Sequence, residues 1–459
     1  MTSGSSVDTD VVVVGGGVAG LAAASSLGHL DVMVLEAGDR LGGRLHSLPR
    51  DETWINLGAH LLTGGDSTIT RLMAASGLDV IPVPGIKTAL WFDGKLRVGR
   101  RVEAFPVTLP LSLRERLDLV RVGLALRLGA ELCRRAARVR RDESVTCYNR
   151  RLRRYRADRT FADTVRGVAP RVAAIFTAAA RRSGGEADRL TEGGAMALFG
   201  ALWVSSGSAS VVNVAGGSGR FGDVWGRRLG SRAITGATVT SVVERSEYAE
   251  VVYRGRDGEE QVVKARHVIV AVPAPEARRL VVDLPDDVRR ELDGVTYGPF
   301  VCMGVLTKDL PAMKWDDVYA ITAPDTNFDM LFHQSNPVLN STVTEPRPRS
   351  FMCYAGGDKA AALLDLDDDE IRSRFLPDLV DVLPELRGMI DEVVVKKWRY
   401  GNCYPAGAGT GLDRSEAWNR RPGALVKLAG DYFAPLGGTL EAAARSGIGH
   451  AAEVLGRIG

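Results

Sequence analysis

Three glycines, Gly15, Gly17 and Gly20, followed by a carboxylate at Glu36, are the residues whose types and spacing point most directly to chemistry. The first glycine permits a tight turn, the second lets the backbone approach a pyrophosphate, and the third lets a helix pack closely on the preceding strand. Free N–H groups at the start of such a helix, around Val18 and Ala19, face anionic phosphates. Glu36 lies 21 residues after Gly15, where a carboxylate can accept from ribose hydroxyls. This is the pattern of a dinucleotide cradle.

The elements that must hold these residues are legible around them. Residues 10–14 are a β-branched run, which reads as a buried parallel strand. Residues 21–27 have helical propensity, and residues 31–35 form a second strand ending at Glu36, completing one βαβ unit. A second G-x-G-x-x-G runs from Gly217 to Gly222, but its lead-in is less apolar and no acid closes a following strand. It is therefore not expected to form a second nucleotide fold. Residues 237–243, 249–254, 261–264 and 267–273 read as four successive strands, and residues 109–166 as helices.

The chain has 459 residues, a soft prior of two or three domains. With 45% hydrophobic and 25% charged residues, the disordered, collagen-like and disulfide-scaffold classes are excluded. A net charge of +3 gives no argument for a nucleic-acid partner. Five scattered cysteines without paired spacing suggest a reducing, cytoplasmic setting and no metal site. Neither a signal peptide nor a membrane-spanning segment is expected. Residues 114–166 carry 16 arginines against 7 acidic residues. This stretch either touches an anionic membrane surface or forms a helical cap with a solvated basic face, and the cap is preferred.

Beyond Glu36 the chain continues Ala37-Gly38-Asp39-Arg40-Leu41-Gly42-Gly43-Arg44. The segment resembles the E-A-x-x-R-x-G-G-R hallmark of the flavin-containing amine oxidase superfamily, which also holds protoporphyrinogen oxidases, phytoene-type desaturases and amino acid oxidases. The resemblance implies FAD as cofactor, with Ala37, Arg40, Gly42, Gly43 and Arg44 beside it and Arg44 serving its phosphates. Residues 55–60 resemble the family strand beside the flavin ring, with Gly58, Ala59 and His60 at the contact and Asn56 in place of the common Asp. Val239 matches the adenine-contacting position. Gly430-Asp431 with Thr439-Leu440 resembles the closing FAD motif, whose helix N-terminus faces the flavin pyrimidine.

The implied fold is α/β, with a Rossmann-type, glutathione-reductase-like FAD domain from residues 1–85, 205–290 and 420–459. An α+β substrate domain with a helical cap would take residues 86–204 and 291–419. The implied chemistry is hydride transfer from a C–N or C–C bond of a small-molecule substrate to flavin N5, with reoxidation by oxygen or another acceptor. A redox-neutral isomerase or dehydroxylase and a non-catalytic flavoprotein are the alternatives. Tyr404 and Trp398 match the pocket-lining segment, His60 is a candidate base or substrate-orienting residue, and Cys403 a candidate covalent flavin attachment. The lysine that many amine oxidases carry falls at Cys302, and the substrate-cage tyrosine at Thr439. The absent lysine tilts the expectation slightly towards desaturation, and the absent tyrosine weakens the case for simple arylalkylamines.

Overall fold

The computed structural model describes residues 7–51, 53–83, 87–99, 102–204, 211–339, 345–407 and 411–458. The expected domain limits at 85/86 and at 205 fall on or against residues outside this set.

Strand Thr9–Val14 is the centre of the first sheet, because Val11, Val12, Val13 and Val14 are buried on both faces. It pairs in parallel with Val32–Glu36 on one side and Glu260–Val270 on the other. Ala233–Thr235 and Val426–Leu428 extend the parallel region, and Ala249–Arg254 with Thr238–Glu244 complete it as antiparallel strands. Segments far apart in sequence thus form one sheet. Where two strands were expected over 261–273, a single strand spans Glu260–Val270: its first half pairs antiparallel with residues 249–254, its second half in parallel with residues 9–14, and Ala265 belongs to both ladders.

Helix Val18–Ser26 is buried along nearly its whole length, between the sheet and helix Leu440–Ile458. A methyl on Gly447 would overlap the Ala19 carbonyl oxygen, so the two helices cross in backbone contact.

The second sheet has the order Ile390–Cys403, Tyr297–Thr307, Ser350–Gly356, Met330–His333, Ala320–Thr322, Thr88–Phe92, Lys95–Gly99. One face packs on helix Asp368–Val382 through Met303, Phe351, Phe375 and Leu379. The other carries Phe300, Cys302, Met352 and Tyr354 towards the first sheet. Helices Leu113–Ala136, Pro170–Ala180 and Glu192–Val204 form a separate cluster around Val122, Phe161, Phe176 and Met196.

The second glycine motif has a packing role. Strand Val211–Val214 pairs antiparallel with Leu62–Thr63 and Val80–Pro82, outside the parallel sheet. Helix Arg220–Leu229 then lies against the 41–47 loop so tightly that a methyl on Gly222 would overlap the Leu41 carbonyl. Among the described residues no helix is long and apolar enough to cross a membrane, and no group of His, Cys, Asp and Glu could hold a metal ion. All five cysteines are free.

Candidate active site

A cavity of about 870 Å³ begins at the carboxyl ends of the parallel strands, beside Val14, Leu35 and Ala271, and ends against the second sheet. Gly15 takes φ +101°, the left-handed turn that a side chain would strain, and a methyl on Gly20 would overlap the Gly15 carbonyl. Gly20 therefore packs helix on strand and does not line the cavity. Gly17, Val18 and Ala19 do line it. A methyl on Gly17 would meet no atom within 4 Å, so the backbone there is open to a ligand.

Glu36 lines the same end. Its carboxylate accepts from the Gly16 N–H and the Gly38 N–H, each at 2.7 Å, and each oxygen retains a lone pair. Ala37 and Val239 stand beside it on the cavity wall. Arg40 reaches the wall but uses its guanidinium internally, donating to the carbonyls of Leu41 (3.0 Å), Gly43 (2.6 Å) and Leu45 (2.9 Å). The Gly42 N–H donates to the Gly16 carbonyl at 2.8 Å and fastens this loop to the glycine turn; Gly42 itself is off the cavity, whereas Gly43 is on it.

Further along stand Arg44, Gly58, Ala59, Gly430 and Asp431. Arg44 pairs with Asp431 at 2.9 Å and donates to the Gly401 carbonyl at 3.1 Å. Burial works against the Arg44 charge, but Asp431 outweighs it and its pKa stands above the ordinary value. Thr439 accepts from the Ala442 N–H at 3.1 Å, and Leu440 opens helix Leu440–Ile458 at the cavity edge. The positive end of that helix is thus presented to the cavity. Asn56 points away and donates to Gln334 at 2.7 Å.

The far end is aromatic. The Trp398 indole donates to the Leu57 carbonyl at 2.7 Å, fixing it as a wall. His60 is buried, with Nδ1 3.1 Å from the Gly58 carbonyl, its ring edge against Phe332, and Nε2 without a partner among the described residues. The carbonyl can only accept, so Nδ1 carries the proton and Nε2 presents a lone pair. Burial pushes the His60 pKa down to about 4, which keeps the ring neutral.

Tyr404 and Cys403 stand elsewhere. Both line a separate cavity of about 360 Å³, where the Tyr404 ring packs on Gly185. The Cys403 thiol lies beside Gly438 and Asp431 but does not line the main cavity, and burial followed by the neighbouring Asp431 raises its pKa well above the ordinary value.

Two cavity residues escape a reading of the sequence. Lys396 pairs across strands with Cys302, so both side chains point from the same face, and its ammonium lies 5.3 Å from the centre of the Trp398 ring. The two-residue spacing to Trp398 is the signal that could have found it. Arg182 sits 5.7 Å from the centre of the Phe332 ring on the same cavity wall as Tyr354, with no carboxylate pairing it among the described residues. Nothing local distinguishes it from the other arginines.

The cradle fits FAD: an open glycine turn, a ribose-height carboxylate, an apolar wall at Val239, a buried Arg–Asp pair and a helix N-terminus follow one another along a single cavity. Comparisons with known proteins agree. Residues 18–455 match the family model described as flavin containing amine oxidoreductase. A flavin-containing amine oxidase of Danio rerio is 25% identical over 278 residues, 58% of this chain and 50% of that protein. Amine oxidase B of Homo sapiens is 43% identical over 77 residues, 16% of this chain and 15% of that protein. The matched stretches thus span half or less of these relatives. Among solved structures, cyclohexylamine oxidase from Brevibacterium oxydans has a TM-score of 0.75 at 17% identity, covering 98% of this chain and 99% of that one. Putrescine oxidase with putrescine bound has a TM-score of 0.73 at 17% identity over the same shares. At these identities the structural likeness speaks for the mixed α/β fold. The family model spans nearly the whole chain, and the chain belongs to the flavin containing amine oxidoreductase family, whose cofactor is FAD.

Proposed function

We propose that this chain is an FAD-dependent oxidoreductase that removes a hydride from the carbon beside the nitrogen of a small amine carrying an anionic group. The observation that carries this reading is the continuity of one cavity from the glycine turn to an aromatic chamber that carries, among the described residues, the cations Arg182 and Lys396. In this reading the first sheet is a Rossmann-type FAD domain and the second, with its helices, a capped substrate domain.

The glycine turn and the start of helix Val18–Ser26 would hold the pyrophosphate, Glu36 the ribose, Val239 the adenine, and the N-terminus of helix Leu440–Ile458 the flavin pyrimidine. Bound FAD supplies the hydride acceptor. The chain's own residues bind, orient and dry the substrate. Phe300, Phe332 and Met352 exclude water, and Trp398 forms one wall. Neutral His60 offers Nε2 as an acceptor for a substrate N–H. Arg182 would take the anionic group, because a guanidinium without a carboxylate partner in a half-buried site favours one. Among the described residues no carboxylate lines this end of the cavity to receive the second ammonium of a diamine.

The expectation of desaturation rests on Cys302 standing where many amine oxidases carry a lysine. Lys396 on the adjacent strand restores a cation on that face, which supports oxidation of amines. The test is kcat/KM for a carboxylated amine against its methyl ester. A preference of about tenfold or more for the acid is expected from one charge-assisted hydrogen-bond pair, diminished by Arg182→Gln. Equal rates, or preference for a diamine, contradict the substrate class; turnover without peroxide or added acceptor points instead to a redox-neutral reaction.

A further inference from the structure

Helix Leu113–Ala136 has two apolar faces. Leu119, Val122, Leu126, Gly129 and Cys133 are buried against the cap. On the opposite side Leu113, Leu117, Leu124 and Leu128 are 76%, 62%, 63% and 62% exposed, with Val120 between them and Leu132 beyond. Their steps of three and four residues form one outward stripe. Exposed large apolar side chains are otherwise scarce: among the described residues only Val262 and Val282 lie outside the segment 98–145. A stripe so concentrated marks an interaction surface.

Charge decides what covers it. Arg114 and Arg121 border the stripe on one side and Arg127 and Arg134 on the other, all exposed. The acids nearby are already engaged. Glu131 is shared by Arg134 and Arg135, Glu103 pairs with Arg127, Asp118 accepts from the Ala169 N–H and lies 3.9 Å from Arg121, and Glu115 bonds Ser112 and Arg171, which leaves Arg114 with no acid among the described residues. Just beyond the helix, Val139 is exposed between Arg138, Arg140 and Arg141. A second copy packed on this stripe by two-fold symmetry would set arginine rows against arginine rows. An anionic lipid surface accepts both features, the leucines entering the acyl boundary and the arginines reaching the phosphates.

We infer that the outer face of helix Leu113–Ala136 docks the protein on an anionic lipid bilayer as a peripheral contact. The cap and the membrane contact are then two faces of one helix. No spanning segment is required.

The test is flotation of the full-length, flavin-loaded protein with vesicles of phosphatidylcholine alone and with about one-third phosphatidylglycerol. Binding should be at least about tenfold stronger to the anionic vesicles and should fall with added salt, as screened attraction requires. L117D with L124D should lower it by at least about tenfold while flavin content and thermal melting stay unchanged, since both side chains face solvent. The milder L124Q and R114E should each weaken it. Failure of the wild-type chain to float with anionic vesicles at low salt overturns the inference. Flotation unaffected by these substitutions does so too, as does a dimer in sedimentation that L124Q separates.

Discussion

Lys396 and Trp398 stand two residues apart on one strand, so both side chains leave the same face, and Cys302 across the ladder shares it. A cation held there stabilises negative charge developing beside it. Lys396→Met should therefore slow reoxidation by oxygen on the order of 10–100-fold while anaerobic reduction by substrate changes less, as rapid mixing would measure. Glu36→Ala removes the carboxylate that reaches the cavity and should weaken FAD binding by about 1.5–3 kcal/mol in a fluorescence titration. Cys403 lines the separate cavity and not the main one, so precipitation with acid should leave all the yellow colour in the supernatant. At this scale the cradle was legible, because Gly15, Gly17, Gly20 and Glu36 act within one short βαβ unit. Arg182 and Lys396 were not, because they reach the cavity only when distant strands and the cap are assembled.

The elements explain what single residues could not. Gly217 to Gly222 has the spelling of a nucleotide turn, yet its leading strand pairs antiparallel and its helix braces the 41–47 loop. Gly222→Ala should drive the helix off the Leu41 carbonyl and cost about 1–3 kcal/mol of stability in denaturant unfolding, with FAD affinity falling as the loop loosens. The first strands were readable from their unbroken valine run. The fusion of residues 260–270 into one strand was not, because its two halves contact different neighbours, residues 249–254 and 9–14. The outward stripe of helix Leu113–Ala136 was hidden for a similar reason: with leucines on two faces, its sequence does not say which one is covered.

Across the whole molecule, folding takes four histidines wholly or partly out of water: His60 at the cavity, His333 against Trp315 and Phe351 on the other face of the second sheet, His267 in the first sheet and the half-buried His46. Burial pushes His46 and His60 down to about 4 and His333 to about 3, and also lowers His267. Each binds its proton near 6.5 in the unfolded chain. Between these values the unfolded chain holds more protons, so stability is complete above about pH 6.5 and falls on acidification, by up to about 1.4 kcal/mol per pH unit for each histidine. Thermal melts at about pH 7.5 and pH 5 should show the lower midpoint in acid.

The measurement closest to the central claim is anaerobic mixing of the purified, flavin-loaded protein with a graded set of amines, followed in the visible flavin band. The band should bleach on mixing with a carboxylated primary amine and persist with the corresponding alcohol. A protein that holds no flavin, or whose bound flavin no amine bleaches, contradicts the account.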